Sequence, residues 1–442
     1  MKKRVDINQI KQFKPMRKAM NFQEAIIESN RCLLCEDAPC SQACPAGTDP
    51  GKFIRQIKFQ NYKGAARTIR NNNIMGSSCA HICPTEKLCE LGCSAKELNH
   101  TIDISGLQQF AINYGIENKL EPMIKSKENM GKIAVIGAGP AGLSCASELA
   151  KLDYDVTIYE KDSEAGGVLR WNIPNFRLPV EMIENDLKNI RDLGVKIKCN
   201  EDINTKEKAN KLLKNNDAVF LATGLNKAFL LSELKDFNNS KSYIDFLRSI
   251  QESKKEIKAQ IENKIVTIVG GGSVALDCAI SAKALGAKRV YVISLEHLSE
   301  LPAVLEEVEL GHLMNIIFKP NTRITSVKSI DNNIIAVKGN EIDWKEENNF
   351  SPKNAIEIED TEFTLKTDLV IQAIGTYPII KEVFSELETF GKGCIVSKNS
   401  LTSHKKIFVA GDLVNGGATA VQAVGEGKKA AIAIDSFVKG GK

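Results

Sequence analysis

Several features are missing from this sequence. No stretch approaches the roughly 20 consecutive apolar residues of a membrane-spanning helix, and the first 18 residues are polar and charged with no apolar segment behind them. Neither a membrane protein nor a secreted one is expected, and the cytoplasm is the expected compartment. Charge of one sign is not in excess: 59 Lys and Arg face 55 Asp and Glu, a formal net charge of +4. That balance leaves no electrostatic footprint for nucleic acid. Residues 1–31 carry eight basic against three acidic side chains, which reads as a solvated or docking face. Histidine is scarce and dispersed, at His81, His100, His297, His312 and His404. No compact acid–base or nucleophilic constellation follows, and no catalytic side chain is nominated.

The 442 residues, 43% hydrophobic and 26% charged, have the profile of a globular protein of two or three domains. Cysteine is unevenly placed. Of 12, eight precede residue 94: Cys32, Cys35, Cys40, Cys44, Cys79, Cys83, Cys89 and Cys93. Without a leader or a very small core, a disulfide framework is a poor reading, and metal or cluster ligation a better one. Thiolates are soft donors suited to iron–sulfur clusters, although paired groups of this kind could also hold tetrahedral zinc.

Three regions are expected. Residues 1–125 read as a helical head, with helices over 22–30, 50–70 and 104–114 and no useful strand alternation before residue 130. The polar stretch 125–132 reads as a junction. Strand, glycine turn, helix and strand then follow, and the same series starts again at residue 265. This is an α/β pattern with parallel sheets covered by helices. Residues 249–262 read as a surface helix, and 321–366 as a small antiparallel layer.

The strongest motif is IAVIGAGPAGLSCASELA, residues 133–150. Gly137, Gly139 and Gly142 occupy the fingerprint positions for a tight turn, close approach of a pyrophosphate, and helix–sheet packing. Pro140 and Ala141 open a helix whose free amides face phosphate. Glu160 ends the next strand, where a carboxylate can take both hydroxyls of an adenosine ribose. Further close-approach positions are Gly167, Leu169 and Arg170, then Thr223 and Gly224, then Ala373 and Gly375. Near the end, IFVAGD supplies Gly411 and Asp412, followed by a helix over 418–427 that begins at Ala418 and Thr419.

This arrangement resembles flavoproteins of the glutathione-reductase type. The resemblance implies an FAD domain split between residues 131–225 and 373–442, with a nicotinamide-nucleotide domain, 226–372, inserted in it. In such proteins Asp412 holds the ribityl–pyrophosphate part of FAD. The second motif, VTIVGGGSVALDCA, fits that insertion: Gly270, Gly272 and Ala275 match GxGxxA, with Ser273 between them. Beyond the following strand, residues 290–303 contain no Lys or Arg to meet a 2′-phosphate, whereas Glu296 could bind a ribose diol. NAD(H) is expected in preference to NADP(H). No CxxC lies in either nucleotide unit, which argues against a disulfide reductase.

The head narrows the resemblance. NRCLLCEDAPCSQACPAGTDPGKFIRQI and CAHICPTEKLCELGC are similar to the N-terminal part of the dihydropyrimidine dehydrogenase family and its bacterial flavin subunits, with the glutamate synthase small subunit as a broader relative. The resemblance implies two [4Fe–4S] clusters, one on Cys32, Cys35, Cys40 and Cys93, the other on Cys44, Cys83, Cys89 and Gln109. Cys79 is then left over, although by spacing alone it, and not Gln109, reads as the ligand. NADP-using relatives carry arginines where Leu295 and Glu296 stand, which supports NAD.

The expected function is electron transfer from NADH through FAD and the clusters to a larger catalytic subunit, FMN- and iron–sulfur-containing, that reduces uracil or thymine. A barrel of about 250 residues for that step does not fit in this chain, so a hetero-oligomer is expected. The competing readings are a glutamate synthase small subunit, the flavin subunit of a ferredoxin–NAD(P) or sulfur-linked oxidoreductase, and a redox-silent binding partner.

Overall fold

The structure is a computed structural model that describes residues 6–121, 123, 129–346, 350–379 and 382–440. The expected junction at 125–132 falls partly outside them. Among the described residues the head is helical, and no helix is long and apolar enough to cross a membrane.

Helix Phe22–Asn30 opens on a capping box in which Asn21 and Glu24 satisfy each other's backbone amides. The single helix expected over 50–70 is two, Pro50–Lys58 and Tyr62–Asn72. Gln60 adopts a left-handed φ of 60° and breaks the first helix, and the Asn61 side chain then caps the second through Gly64 N. Helix Ile104–Glu117 packs across both. Their contact is an apolar core of Phe53, Ile57, Ile69, Leu107 and Phe110, with an edge-to-face cluster of Phe22, Tyr62, Phe110 and Tyr114 at one end.

Two parallel five-stranded sheets follow. In the first the order is Ile407–Val409, Ala218–Leu221, Lys132–Ile136, Asp155–Tyr159, Lys196–Lys198. The chain leaves this sheet after residue 221 and returns to it at 407. Between lie the second sheet, ordered Ser240–Ser242, Leu369–Gln372, Ile265–Val269, Arg289–Ile293, Ile317–Lys319, and the antiparallel strands Thr322–Ile330, Asn333–Trp344, Ala355–Glu357 and Phe363–Lys366. The surface helix expected over 249–262 is longer, Tyr243–Ile261, with Glu252, Lys254, Lys255, Glu256 and Lys258 exposed on its outer face. It buries Phe246, Leu247, Ile250, Ile257 and Ile261 and is interrupted at Ser253.

Two packing features join the units. Helix Ala420–Gly440 lies along helix Pro140–Lys151 and touches the head. The N-terminal segment crosses to the second sheet's unit, where Ile10 and Met16 enter its core beside Phe176. Residues 6–17 of this basic stretch therefore form a strap with an apolar inner side.

Candidate functional site

The first glycine turn forms as the motif requires. A Cβ on Gly137, at φ 104°, would stand 2.4 Å from Ala222 O, and one on Gly142 2.0 Å from Gly137 O. At Gly139 no atom lies within 4 Å of that position, so the backbone is open on the side facing the cleft. Helix Pro140–Lys151 starts immediately afterwards. Around the turn lies a cleft with about 1420 Å³ of atom-free space, solvent at its mouth included. Gly137, Gly139, Pro140, Ala141, Glu160, Gly167, Thr223, Gly224 and Asp412 all line it. An extended dinucleotide fits this donor set.

Glu160 is held in place before any ligand arrives: Oε2 accepts from Ala138 N at 2.7 Å and Oε1 from Asp162 N at 2.9 Å. Burial raises its pKa, opposed by those two amides. Burial also raises that of Asp412, opposed by the bond from Ala418 N at 3.1 Å. Thr419 caps the last helix through Gln422. Gly411 donates to Glu426.

Some expected positions turn elsewhere. Arg170 does not line the cleft: its Nε donates to Ala165 O, and its guanidinium pairs with Glu164 and Glu184. Leu169 is buried in the core. Conversely, the structure brings in Lys161, Trp171, Tyr243 and Arg248, none of them nominated from the sequence. Arg248 lies over the Trp171 ring, 4.6 Å from its centroid, and pairs with Asp162 at 2.8 Å. Arg248 lies one residue before the charged segment 249–262 that read as a surface helix, and no local motif marked it. Trp171 could have been found as the aromatic four residues after Gly167, beyond the glycine pair Gly166 and Gly167.

The second glycine turn repeats the geometry. Gly270 has φ 133°, its Cβ position is 2.3 Å from Ala373 O, and the side of Gly272 is open. Ser273 begins helix Ser273–Ala284, and Ala275 is buried against the sheet. Glu296 returns to the turn, with Oε2 3.0 Å from where a Gly271 Cβ would stand. Ser294 is buried, and its hydroxyl donates to Glu296 O. The acid at the mouth of this turn is thus Glu296 and not the residue in register with Glu160. Gly375, at φ 102°, lies near Phe229.

The head contains two thiol-lined cavities. Cys32, Cys35, Cys40 and Cys93 line one. Cys44, Cys79, Cys83 and Cys89 line the other, together with Gln108. The interleaved division, in which Cys93 joins the first group, is the one the resemblance implied. Gln109 is corrected: it is buried, donates to Ala80 O at 2.8 Å, and does not line the cavity. On helix Ile104–Glu117 consecutive residues point about 100° apart, so Gln108 faces the thiols and Gln109 does not. Gln108 Nε2 is committed to Gly76 O at 2.8 Å, which leaves its oxygen as the free donor.

Burial raises the pKa of Cys32, with the nearby thiols of Cys93 and Cys35 adding to the rise, and pushes Cys40 up to about 11, with Cys93 and Cys32 adding to it. Contact with Cys79 and burial hold Cys83 well above the usual thiol range. Thiolates packed this closely need a cationic centre among them, which iron supplies. Among the described residues no three His, Cys, Asp or Glu side chains converge on a single-ion site.

The cleft and the second cavity share one helix. In Ala420–Gly440, Val421 lines the thiol cavity and Ala423 the dinucleotide cleft. Gly425 lets that helix reach the loop carrying Cys44, since a Cβ there would stand 2.2 Å from Pro45 O, and Gly427 lets it meet Ala141 O at 2.4 Å. Lys428 fastens the same contact by donating to Ala46 O and Asn72 O. The two thiol cavities are themselves adjacent: Pro50 lines one and Gly51 the other.

Comparison with known proteins agrees with this layout. Residues 9–120 match the family described as dihydropyrimidine dehydrogenase domain II, 4Fe-4S cluster, and residues 131–427 match the pyridine nucleotide-disulphide oxidoreductases. The chain is 39% identical to the NAD-dependent dihydropyrimidine dehydrogenase subunit PreT of Escherichia coli strain K12, over 94% of this chain and 95% of that protein. It is 30% identical to the NADP(+)-dependent formate dehydrogenase subunit beta of Moorella thermoacetica, over 91% of this chain and 60% of that one. In fold it is similar to FprA of Mycobacterium tuberculosis in complex with NADPH, with a TM-score of 0.61 at 13% identity, covering 70% of this chain and 85% of that chain. The thioredoxin reductase of T. acidophilum gives 0.51 at 20% identity, covering 70% and 99%. The chain therefore belongs to the PreT family, as an oxidoreductase subunit that draws electrons from a nicotinamide nucleotide through FAD into [4Fe–4S] clusters.

Proposed function

We propose that this chain is the electron-input subunit of a cytoplasmic dihydropyrimidine dehydrogenase, oxidising NADH and supplying a larger FMN- and iron–sulfur-containing subunit that reduces uracil or thymine. It would comprise a cluster-bearing head (1–125), a split FAD domain (131–225 and 373–442) and an inserted NAD domain (226–372). When bound, FAD accepts hydride from NADH and releases electrons singly to the clusters.

The chain's own residues bind, orient and exclude water. The open face of Gly139 and the amides at the start of helix Pro140–Lys151 take the FAD pyrophosphate. Glu160 takes the adenosine ribose, and Asp412 the ribityl–pyrophosphate end. Gly272 and helix Ser273–Ala284 take the pyrophosphate of NADH, with Glu296 at its adenosine ribose. Cys32, Cys35, Cys40 and Cys93 hold one cluster. Cys44, Cys83, Cys89 and the Gln108 oxygen hold the other, with Gln108 taking the role first given to Gln109.

The observation that carries this reading is the placement of Val421 and Ala423 within one helical turn, walling the thiol cavity and the flavin cleft respectively. It supports a second cluster held next to the flavin, with the first beyond it. The test is anaerobic reconstitution with FAD, iron and sulfide, followed by mixing with NADH. Bleaching of the flavin followed by cluster reduction is expected, as is uracil reduction once the barrel subunit is added and not before. A protein that holds full flavin yet no iron or sulfide, or that reduces uracil alone, overturns the reading.

A further inference from the structure

Arg177 lies in the loop between helices Val168–Trp171 and Val180–Asp192, both of the first nucleotide unit. Its guanidinium nevertheless enters the second unit. There Nη1 stands 2.7 Å from Asp277 Oδ2 and 2.8 Å from Glu307 Oε1, and all three side chains are at most 14% exposed. Asp277 is on helix Ser273–Ala284, the helix that starts at the second glycine turn, and Glu307 is on helix Leu305–Leu313, packed against it. The loop is anchored on both sides of Arg177's neighbourhood. Phe176 is buried in the core of the second unit, its carbonyl accepts from Met16 N at 2.8 Å, and Arg17 of the N-terminal strap pairs with Glu306.

We propose that Arg177 is a positioning residue for hydride transfer, holding the helix that carries the nicotinamide-nucleotide turn in register with the flavin cleft. The inference rests on the assignment of flavin to the first unit and NADH to the second. One buried cation serves two buried carboxylates: it is hydrogen-bonded to Asp277 Oδ2 and ion-paired with Glu307, while Asp277 Oδ1 and both Glu307 oxygens have no hydrogen-bond partner among the described residues. Turning or sliding the second unit away from the first would withdraw the guanidinium from both acids at once and leave them uncompensated in the interior. The pair of units is therefore held near a single orientation, and a reaction whose rate depends on the alignment of two bound rings gains from that constraint. Arg177 lies outside the residues lining the flavin cleft, so its effect passes through the orientation of the units and not through contact with the reacting atoms.

The test uses the reconstituted full chain. Anaerobic stopped-flow absorbance follows flavin reduction by NADH and by NADH deuterated at the transferred position, in wild type, Arg177→Met, Arg177→Lys and Glu307→Gln. For Arg177→Met the limiting reduction rate should fall about 100-fold. Flavin content and the apparent Kd for NADH should stay within a few-fold of wild type, and the deuterium effect should become fully expressed. Arg177→Lys should recover part of the rate, since it restores a cation without the planar guanidinium that places Nη1 between the two acids. Glu307→Gln, which leaves the Asp277 pair in place, should show a smaller loss. The proposal is overturned if Arg177→Met and Glu307→Gln lower the unfolding temperature while the limiting rate is unchanged, or if only the Kd for NADH rises. If Arg177→Met does not fold, the rate in Glu307→Gln decides alone. A wild-type flavin that NADH does not bleach overturns the assignment of the two nucleotides instead, and is recognised because no variant is needed to see it.

Discussion

Asp186, buried in the first nucleotide unit, is bonded to Ser78 of the head twice over: its Oδ2 accepts from the Ser78 amide at 2.9 Å and from the Ser78 hydroxyl at 2.7 Å. Oδ1 accepts from Ser77 N at 3.1 Å. The bonds gather the free amides at the start of helix Gly76–Ile82, which bears Cys79 and leads into Cys83. A carboxylate of one unit thus sets the position of a thiol-bearing helix of the other.

Replacing Asp186 by Ala should cost about 1–3 kcal/mol, because three buried donors lose their acceptor. Burial, opposed by these same bonds, pushes the Asp186 carboxyl up from 3.8 to about 6. The folded state then holds this proton more tightly than the unfolded state does. The contribution is fully stabilising below about 3.8 and is lost as pH rises to about 6. In urea unfolding between pH 4 and 6, Asp186→Asn should remove that slope, and a slope equal to wild type would count against the assignment.

Gly425→Val should disturb the path between the cofactors. The new side chain would meet Pro45 O, beside Cys44, and overpacking of this kind costs about 1–3 kcal/mol. In anaerobic mixing with NADH, flavin reduction should keep its wild-type rate while cluster reduction lags behind it. Equal slowing of both phases would show that the helix does not act selectively on the second step.

Glu296→Arg should change nucleotide preference. The carboxylate at the second turn favours a ribose diol and repels a 2′-phosphate, and a guanidinium would do the reverse. A gain of about tenfold or more in kcat/KM for NADPH over NADH, measured by flavin bleaching or acceptor reduction, is the expected outcome, equivalent to about 1.4 kcal/mol. An unchanged ratio would remove Glu296 from the nucleotide site.

The neighbouring glutamines should behave differently. Gln108→Leu removes the side chain that faces Cys44, Cys83 and Cys89, and should alter the electron paramagnetic resonance signal and reduction potential of one cluster only. Gln109→Leu removes a hydrogen bond to Ala80 O and should leave both signals in place at a cost of about 1 kcal/mol. The opposite result would return the ligand role to Gln109. A loss of the same signal in Cys79→Ser but not in Gln108→Leu would give it to Cys79.

Much of this protein is written in local order. The glycine turns at Gly137 and Gly270 were legible because a tight turn, an open backbone and a close helix make three separate demands within six residues, and few other residues meet them. The strands beside them, and the return of the chain near Gly411, followed from short apolar runs ending at turn residues. Arg170, placed from its sequence position, and Gln109, carried over from the resemblance, both turn away from their sites because the rotation of a helix decides which way a side chain points. Residues 50–70 kept an apolar rhythm through Gln60 and Asn61, whose backbone conformation ends one helix and starts another without a proline or glycine to mark it.

The sequence by itself determined the two nucleotide turns, the presence of a thiol-rich head and the lack of Lys or Arg in residues 290–303 beyond the second turn, since each depends on side chains or backbone within one short segment. Only the tertiary structure decided that Cys93 joins Cys32, Cys35 and Cys40, that Gln108 and not Gln109 faces the other thiols, and that Arg177 bridges two units. These depend on helix rotation and on contacts between residues tens to hundreds of positions apart. Such contacts form when apolar faces are buried against one another, and no local pattern records which partner a face will meet.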